Sequence, residues 1–473
     1  MKKSLLWVLV LVLSISMIAA FSLYGCKEEE AAEEETAEEE TAEEEATEEE
    51  VAEEEEVMEE LPADTTAHLV IWCWSPNDVD LDYALTTTGF NDKYPNITWE
   101  FVIYGTGDVY VNLPLAITAG SGAPDICLIE NSHTAGIIDL GGILDVTDKI
   151  EPYLSDLTPY KLADLLVDGK YYGVPWDGAP VGMYYRRDVF EAAGLASDTD
   201  SVAEMVSTWD KYYETAKTIK EETGQFMQPQ NKANNNGRLF EMLLWQQGLG
   251  YLDASGNVAI NSAGAVATLE FMGKMVSEGL YSDQVDWSDD WYGAFSSPDS
   301  SVASHIEASW MGGLFKAWIA PETGGLWGAV PMPAWEEGGA RASADGGSSL
   351  VITEQCQNPD AAWAWIKEAI LTVDGNVAVY NTPDAGGYTP SLISALSSDT
   401  FDAADPFFAD QAIGRLFADI NEEVPVAYVY SKDYNEMNSL TAPEIAKYLT
   451  GTVTAQEALD NAAAAIKAAT GLQ

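Results

Sequence analysis

Leu69-Val-Ile-Trp72, Ile97-Thr-Trp-Glu-Phe-Val102 and Gly122-Ala-Pro-Asp-Ile-Cys-Leu-Ile129 are the segments whose reading decides the fold. The first is an unbroken apolar run, as a strand buried on both faces requires. The second alternates apolar and polar side chains with the period of two of a strand. The third is a turn feeding another apolar run. Between the first two, residues 83–94 read as a helix that stops before Pro95, because proline disfavours helical geometry in the residue before it. Between the second and third, residues 112–120 read as a helix. Strands alternating with helices predict an α/β fold built on a mostly parallel sheet covered on both faces.

Further along, helix signals dominate. Thr208 precedes a helical pattern over residues 209–223 that ends at Gly224. Asn358-Pro359-Asp360 places a cap and then a proline at the first helical position, ahead of residues 361–371. Thr441-x-x-Glu444 and Thr454-x-x-Glu457 both have the form of a capping box. The Ala-rich residues 455–469 favour helix strongly.

The chain has 473 residues and a formal net charge of −56. That length suggests two or three domains. With 78 acidic and 22 basic residues, it is repelled by phosphate backbones, which excludes nucleic acid as a partner. Residues 27–60 hold 21 Glu and one Lys, but residues 61–473 are acidic too, with a net charge of −38. The four cysteines, Cys26, Cys73, Cys127 and Cys356, form no C-x-x-C, and the three histidines form no H-x-x-x-H. Neither a zinc ribbon nor a His-rich metal site is expected. Cys73 and Cys127 fall in neighbouring predicted strands and read as buried small apolar residues rather than a disulfide.

The N-terminus reads as an export signal. Lys2 and Lys3 precede an uncharged stretch over residues 4–25. Leu23-Tyr24-Gly25-Cys26 resembles the lipobox of a bacterial lipoprotein, with Tyr24 where a small residue is usual. The resemblance implies removal of residues 1–25 and acylation of Cys26. An uncleaved membrane helix is the other reading of the same segment. Residues 26–63 then repeat an Ala-Glu-Glu-Glu theme. Runs of like charge repel and cannot bury a core, so this reads as a solvated tether.

Catalytic and nucleotide motifs are missing. No G-x-S-x-G and no Walker A occurs, and Gly105-Thr-Gly107 lacks the third glycine of a dinucleotide loop. Asp78-x-Asp80-x-Asp82 begins like a calcium loop but continues with Tyr83 instead of glycine, so it reads as a polar loop or a helix start. Tryptophan is the informative residue. Trp99, Trp209, Trp363 and Trp365 sit within strand or helix patterns and read as packing. Trp74, Trp176 and Trp310 sit in loops beside glycine, proline or acid. An indole offers a flat apolar face to the C–H face of a sugar ring, while neighbouring carboxylates accept its hydroxyls.

Here a resemblance becomes specific. Val167-Asp-Gly-Lys-Tyr-Tyr-Gly-Val-Pro175, followed by Met183-Tyr-Tyr-Arg-Arg-Asp-Val-Phe-Glu-Ala-Ala-Gly-Leu195, resembles the crossover of extracellular solute-binding proteins of ABC importers. The likeness is to the sugar-binding group related to maltose-binding protein. Gly120-Ser-Gly-Ala-Pro-Asp-Ile126, Thr208-Trp-Asp-Lys, Ala308-Ser-Trp310, Trp327-Gly-Ala-Val-Pro-Met-Pro333 and Gly346-Gly-Ser-Ser-Leu-Val-Ile352 follow in family order. Asn358-Pro-Asp-Ala-Ala-Trp363 completes the series, and the likeness spans roughly residues 66–470. It implies a type II periplasmic-binding-protein fold of two α/β lobes, each a mostly parallel sheet flanked by helices. The lobes are expected at residues 64–176 with 348–372, and at 177–347 with 373–473.

By the same resemblance, the ligand contacts are expected at Trp74 and Asp78 after the first strand and at Glu130 and Asn131 after the third. Trp176 and Asp177 stand at the crossover, Trp310 in the G-S-W element, and Asp345, Gly346 and Gly347 at the return. Asn236 and Tyr388 complete the set from Asn- or Gly-rich loops, and Glu307 fits either a cleft acid or a surface acid. The expected function is a non-enzymatic, lipid-anchored extracytoplasmic receptor. It would bind a mono- or oligosaccharide by hinge closure and deliver it to an ABC permease. It is expected to be a monomer without cofactor. A receptor for another polar solute such as a polyamine is the alternative, and a secreted glycoside hydrolase is the reading from a different class, since its two carboxylates need share no motif.

Overall fold

The structure, a computed structural model, describes residues 60–234, 237–296, 300–383, 385–426 and 429–473. The signal, Cys26, nearly all of the acidic segment and Asn236 lie outside the described residues.

Strands Ala67–Cys73, Ile97–Ile103 and Ile126–Glu130 are the three read from sequence, and they pair in parallel, with Leu69 opposite Trp99 and Ile71 opposite Ile126. Ser348–Ile352 joins the third strand antiparallel, and Val174–Pro175 closes the far edge of this five-stranded sheet. Successive strand residues point to opposite faces, and the core divides accordingly. Leu69, Ile71, Ile126 and Leu128 pack with helices Asn77–Thr88 and Pro359–Ile370 on one face. Trp72, Cys127 and Ile129 pack with Val109 and Leu113 of helix Thr106–Ala119 on the other. Burying each such Leu or Ile contributes roughly 1.5–3 kcal/mol. The same alternation sends Cys73 and Cys127 to opposite faces, and both are free thiols.

The expected helix at residues 83–94 begins earlier, at Asn77, and breaks at Gly89, whose φ of 79° lets its N–H donate back to Leu85. The Asp78-x-Asp80 pattern is that helix's acidic first turn, where burial raises the Asp80 carboxyl to about 7 against the pull of the helix dipole. Ala378, Val379, Leu392 and Ala395 also sit in the first core, although the sequence reading returned the chain to the second lobe after residue 372.

The second sheet centres on Val181–Arg186, flanked antiparallel by Ser304–Ala308 and Trp327–Pro331. A mostly parallel sheet was expected here. Parallel pairing lies outside these three strands: on one side Ala303 N–H donates to Phe226 O at 2.8 Å and Gln228–Pro229 pairs with Tyr281–Ser282, and on the other Thr208 bridges Ala334. The reason lies in the topology: the central strand is the one that carries the chain out of the first sheet, and both neighbours run back against it. Helix Trp209–Thr223 starts where predicted, with the Thr208 hydroxyl accepting from Lys211 N–H. Helix Ala455–Thr470 has both arms of its capping box, from Thr454 and Glu457. Thr441 is no cap. Helix Tyr434–Leu449 runs through it, and the Thr441 hydroxyl donates to Met437 O one turn back.

Three chain segments pass side by side between the sheets. Gly178 N–H donates to Thr389 O, Val181 N–H to Ser343 O and Trp176 N–H to Ser348 O, each at 2.8 Å. Beside this junction lies a cleft.

Candidate functional site

The cleft holds a cavity of about 580 Å³ lined from both sheets. On the first-sheet side, Trp74 follows directly on the first strand. The chain there turns sharply into helix Asn77–Thr88, and the Asn77 side-chain amide donates to Trp74 O at 2.9 Å, fixing the turn. Glu130 ends the third strand. Its carboxylate accepts from the Ser132 hydroxyl, its N–H donates to the Tyr110 hydroxyl at 3.1 Å, and burial pushes its carboxyl up to about 7. Asp177 sits at the crossover, where its carboxylate accepts from Ser348 N–H at 2.6 Å and burial raises it to about 6. The buried Lys161 ammonium donates to Gly346 O. Gly346 and Gly347 have φ of 71° and 85°, and a Cβ on Gly347 would lie 2.5 Å from the Lys161 nitrogen. Only glycine fits this return.

The opposite side is built from the second core. Helix Arg238–Trp245 contributes Arg238 and Glu241, one turn apart on one face. Arg238 pairs with Asp345, lies 3.3 Å from Glu307, and stacks over Trp310 at 5.4 Å from the ring centre. Burial pushes Glu307 well above the carboxylate range, opposed by the Arg238 charge. Glu241 has no cation beside it among the described contacts. It accepts from the hydroxyls of Tyr251 and Tyr434 and from the Asn438 amide, and burial raises it to about 7. Trp310 donates its indole N–H to Asp345 O at 3.1 Å, which fixes the ring across the cleft. Trp287 and Trp318 complete this wall.

Of the residues expected at the site, Trp74, Glu130, Asp177, Trp310, Asp345, Gly346, Gly347 and Tyr388 line the cavity. Asp78, Asn131 and Trp176 do not. The Asp78 carboxylate is turned back to the Ser75 hydroxyl, 2.6 Å away. Asn131 is fully buried between Asp164 and Ser349. Trp176 belongs to the first core and meets Tyr388 edge-on at 6.0 Å, behind the cavity surface. Glu307 is a buried acid, neither a lining residue of this cavity nor a surface one. Asn236 lies outside the described residues. Arg238, Glu241, Trp287, Trp318, Tyr434 and Asn438 went unread. Trp287, in Asp286-Trp-Ser-Asp-Asp290, satisfies the same loop-and-acid criterion that selected Trp176 beside Asp177. The others sit on helices, where amphipathic spacing reads as core. Among the described residues no group of His, Cys, Asp and Glu is arranged to hold a metal, and no helix is long and apolar enough to cross a membrane.

Two α/β lobes joined by several chain crossings, with an aromatic and acidic cleft between them, define a solute-receptor architecture. The description of bacterial extracellular solute-binding proteins matches residues 76–372, and the chain belongs to that family. A lactose-binding protein of Rhizobium radiobacter is 29% identical, over 81% of this chain and 89% of its own. An arabinooligosaccharide-binding protein of Bacillus subtilis is 26% identical, over 81% of this chain and 88% of its own. Among solved structures, an ABC transporter associated binding protein of B. animalis subsp. lactis in complex with beta-1,6-galactobiose superposes with a TM-score of 0.68 at 24% identity. That match covers 84% of this chain and 96% of the other, and shows the common fold. Family membership makes the chain a solute-binding receptor rather than an enzyme.

Proposed function

We propose that this chain is an extracytoplasmic receptor for an oligosaccharide, held at the membrane by a lipid on Cys26, that closes around its ligand and delivers it to an ABC permease. The observation that carries the reading is the cleft itself. Trp74 and Trp310 present indoles beside Glu130, Asp177 and Asp345, which suits a ligand with apolar C–H faces and a rim of hydroxyl donors. The relatives named for lactose and arabinooligosaccharides support the ligand class.

Eight of the expected residues make up the proposed contact set: Trp74, Glu130, Asp177, Trp310, Asp345, Gly346, Gly347 and Tyr388. Arg238 and Glu241 join them from the opposite wall. The lobes follow the sequence reading, except that residues 373–396 are drawn with lobe one on the burial of Ala378 and Leu392 in its core. Ligand touching both lobes stabilises the closed arrangement by its differential affinity. The acidic segment spaces the receptor from the membrane, and the receptor acts as a monomer.

A thermal-shift screen of the full chain against sugars, polyamines and amino acids tests this. A ligand at about 100 times its Kd adds about 2.7 kcal/mol. A rise with one sugar class, with the sugar recovered intact, supports the reading. A rise with polyamines alone overturns the sugar assignment.

A further inference from the structure

Among the described residues, Trp287 and Trp318 are the two tryptophans exposed to solvent, at 38% and 51%, and both line the same cleft. Each is presented by an unusual stretch of backbone. Trp287 has a φ of 62° and is the one aromatic residue with positive φ among those described. A bulky side chain in that region is strained, and such strain collects at functional sites. Trp318 lies in a π-type turn, Phe315–Ile319, that continues the short helix Trp310–Leu314. Widened turns of this kind also recur at functional positions. Two independent departures from regular backbone thus turn two indoles outward.

Both rings are braced from behind. Trp287 packs on Trp291 at 5.1 Å and stacks on Trp310 at 6.1 Å and 21°. Trp318 meets Tyr292 edge-on at 5.1 Å. Trp291 and Tyr292 come from one helix, Asp289–Ser296, so a single element supports both rings.

Beside Trp318 the cleft opens into a second chamber of about 260 Å³. It shares Pro76, Trp310 and Tyr388 with the main cavity and adds Gly313, Ala317 and Gly386. Among the described residues no charged side chain lines it. The main cavity, by contrast, holds Glu130, Asp177, Arg238, Glu241 and Asp345. A sugar ring buried among those groups has its hydroxyls matched one by one, and a wrong hydroxyl leaves a buried polar group unpaired. A ring lying on Trp318 stacks its C–H face and leaves its hydroxyls in water, where stereochemistry matters little.

Resting on the sugar reading above, we propose that Trp318 and Trp287 form an outer stacking platform that sets ligand length. The receptor then takes oligosaccharides longer than a disaccharide, strict about the inner unit and tolerant of the outer ones.

The test is calorimetric titration of the full chain with galacto-, arabino- and malto-oligosaccharides of one to five units. In the series that binds, affinity is expected to rise roughly tenfold between two and four units. W318A is expected to abolish that rise and W318F to keep most of it, with ligand-free melting temperatures confirming that both variants fold. A native affinity flat beyond the disaccharide, or a W318A variant that retains the rise, overturns the platform and leaves the sugar receptor standing. Binding in none of the three series overturns both.

Discussion

Two buried acidic sites meet helix Arg238–Trp245 and differ in construction. Asp345 and Glu307 are held by a cation, Arg238. Glu241, one helical turn from that arginine, is held by two tyrosine hydroxyls and an amide. A carboxylate loses its hydration in both places. In the first, opposite charge compensates, and removing the cation leaves the acids exposed to the full cost of burial. In the second, neutral donors compensate, each contributes modestly, and the carboxyl can relieve itself by taking up a proton. The first cluster is therefore the more brittle to mutation, and the second is the one in which no neighbouring cation opposes protonation.

The widest separation between the two is expected from R238A. It leaves two buried acids, Asp345 and Glu307, without their cation, and unfolding in urea should show a loss of about 3–5 kcal/mol. Adding E307Q should recover a large part of that loss. A loss below about 1 kcal/mol would mean the arginine does not hold the pair, and the contrast would collapse.

The pH prediction follows from the sign of the Glu241 shift. The unfolded carboxyl titrates near its ordinary 4.5, and in the fold it titrates at about 7. The folded chain binds the proton more tightly, so this contribution is fully present below pH 4.5 and is lost as pH rises through about 7. E241Q lacks it. The stability of the native chain relative to E241Q should fall by on the order of 3 kcal/mol across that window, read from unfolding midpoints at pH 4.5, 6 and 8. A constant difference would place Glu241 among ordinary carboxylates. Comparing the two proteins isolates this group from Asp80, Glu130 and Asp177, which burial raises as well, and from His133 and His305, which burial lowers.

The smallest effect is expected from Y434F. It removes one of three donors to Glu241 and keeps the ring packed on Tyr430 at 4.7 Å. A cost of about 1.5–3 kcal/mol in the same unfolding assay is the share of a single hydrogen bond to a charged group. A cost approaching that of R238A would mean the donors act as one network rather than singly.

The strands of the first sheet were legible because parallel strands buried on both faces must be written as apolar runs, and Leu69-Val-Ile-Trp72 is one. Helix Trp209–Thr223 was legible because Thr208 and Gly224 mark its ends chemically. Trp74 and Trp310 were legible as tryptophans in loops beside proline, glycine or acid, while Glu130, Asp177 and the Asp345–Gly347 return were expected only from the family resemblance. What failed was orientation. Glu130 and Asp177 face the cleft, while their neighbours Asn131 and Trp176 face the interior. Adjacent residues at a strand end point in opposite directions, and a motif that names both cannot say which is which. Arg238, Glu241 and Tyr434 failed for another reason. On a helix, a residue aimed at a cleft has the same spacing as one aimed at the core, and only the partner across the gap tells them apart. The antiparallel centre of the second sheet was not visible because strand direction is set by the path between sheets, not by local sequence.

The three segments that pass side by side between the sheets are tied to one another by backbone hydrogen bonds. A single strand at that place would be a string, free to swivel and to twist. Three strands laced edge to edge are a strap. A strap flexes across its flat face and resists both torsion and sideways shear. For the closure proposed above, such a strap confines movement to a single arc.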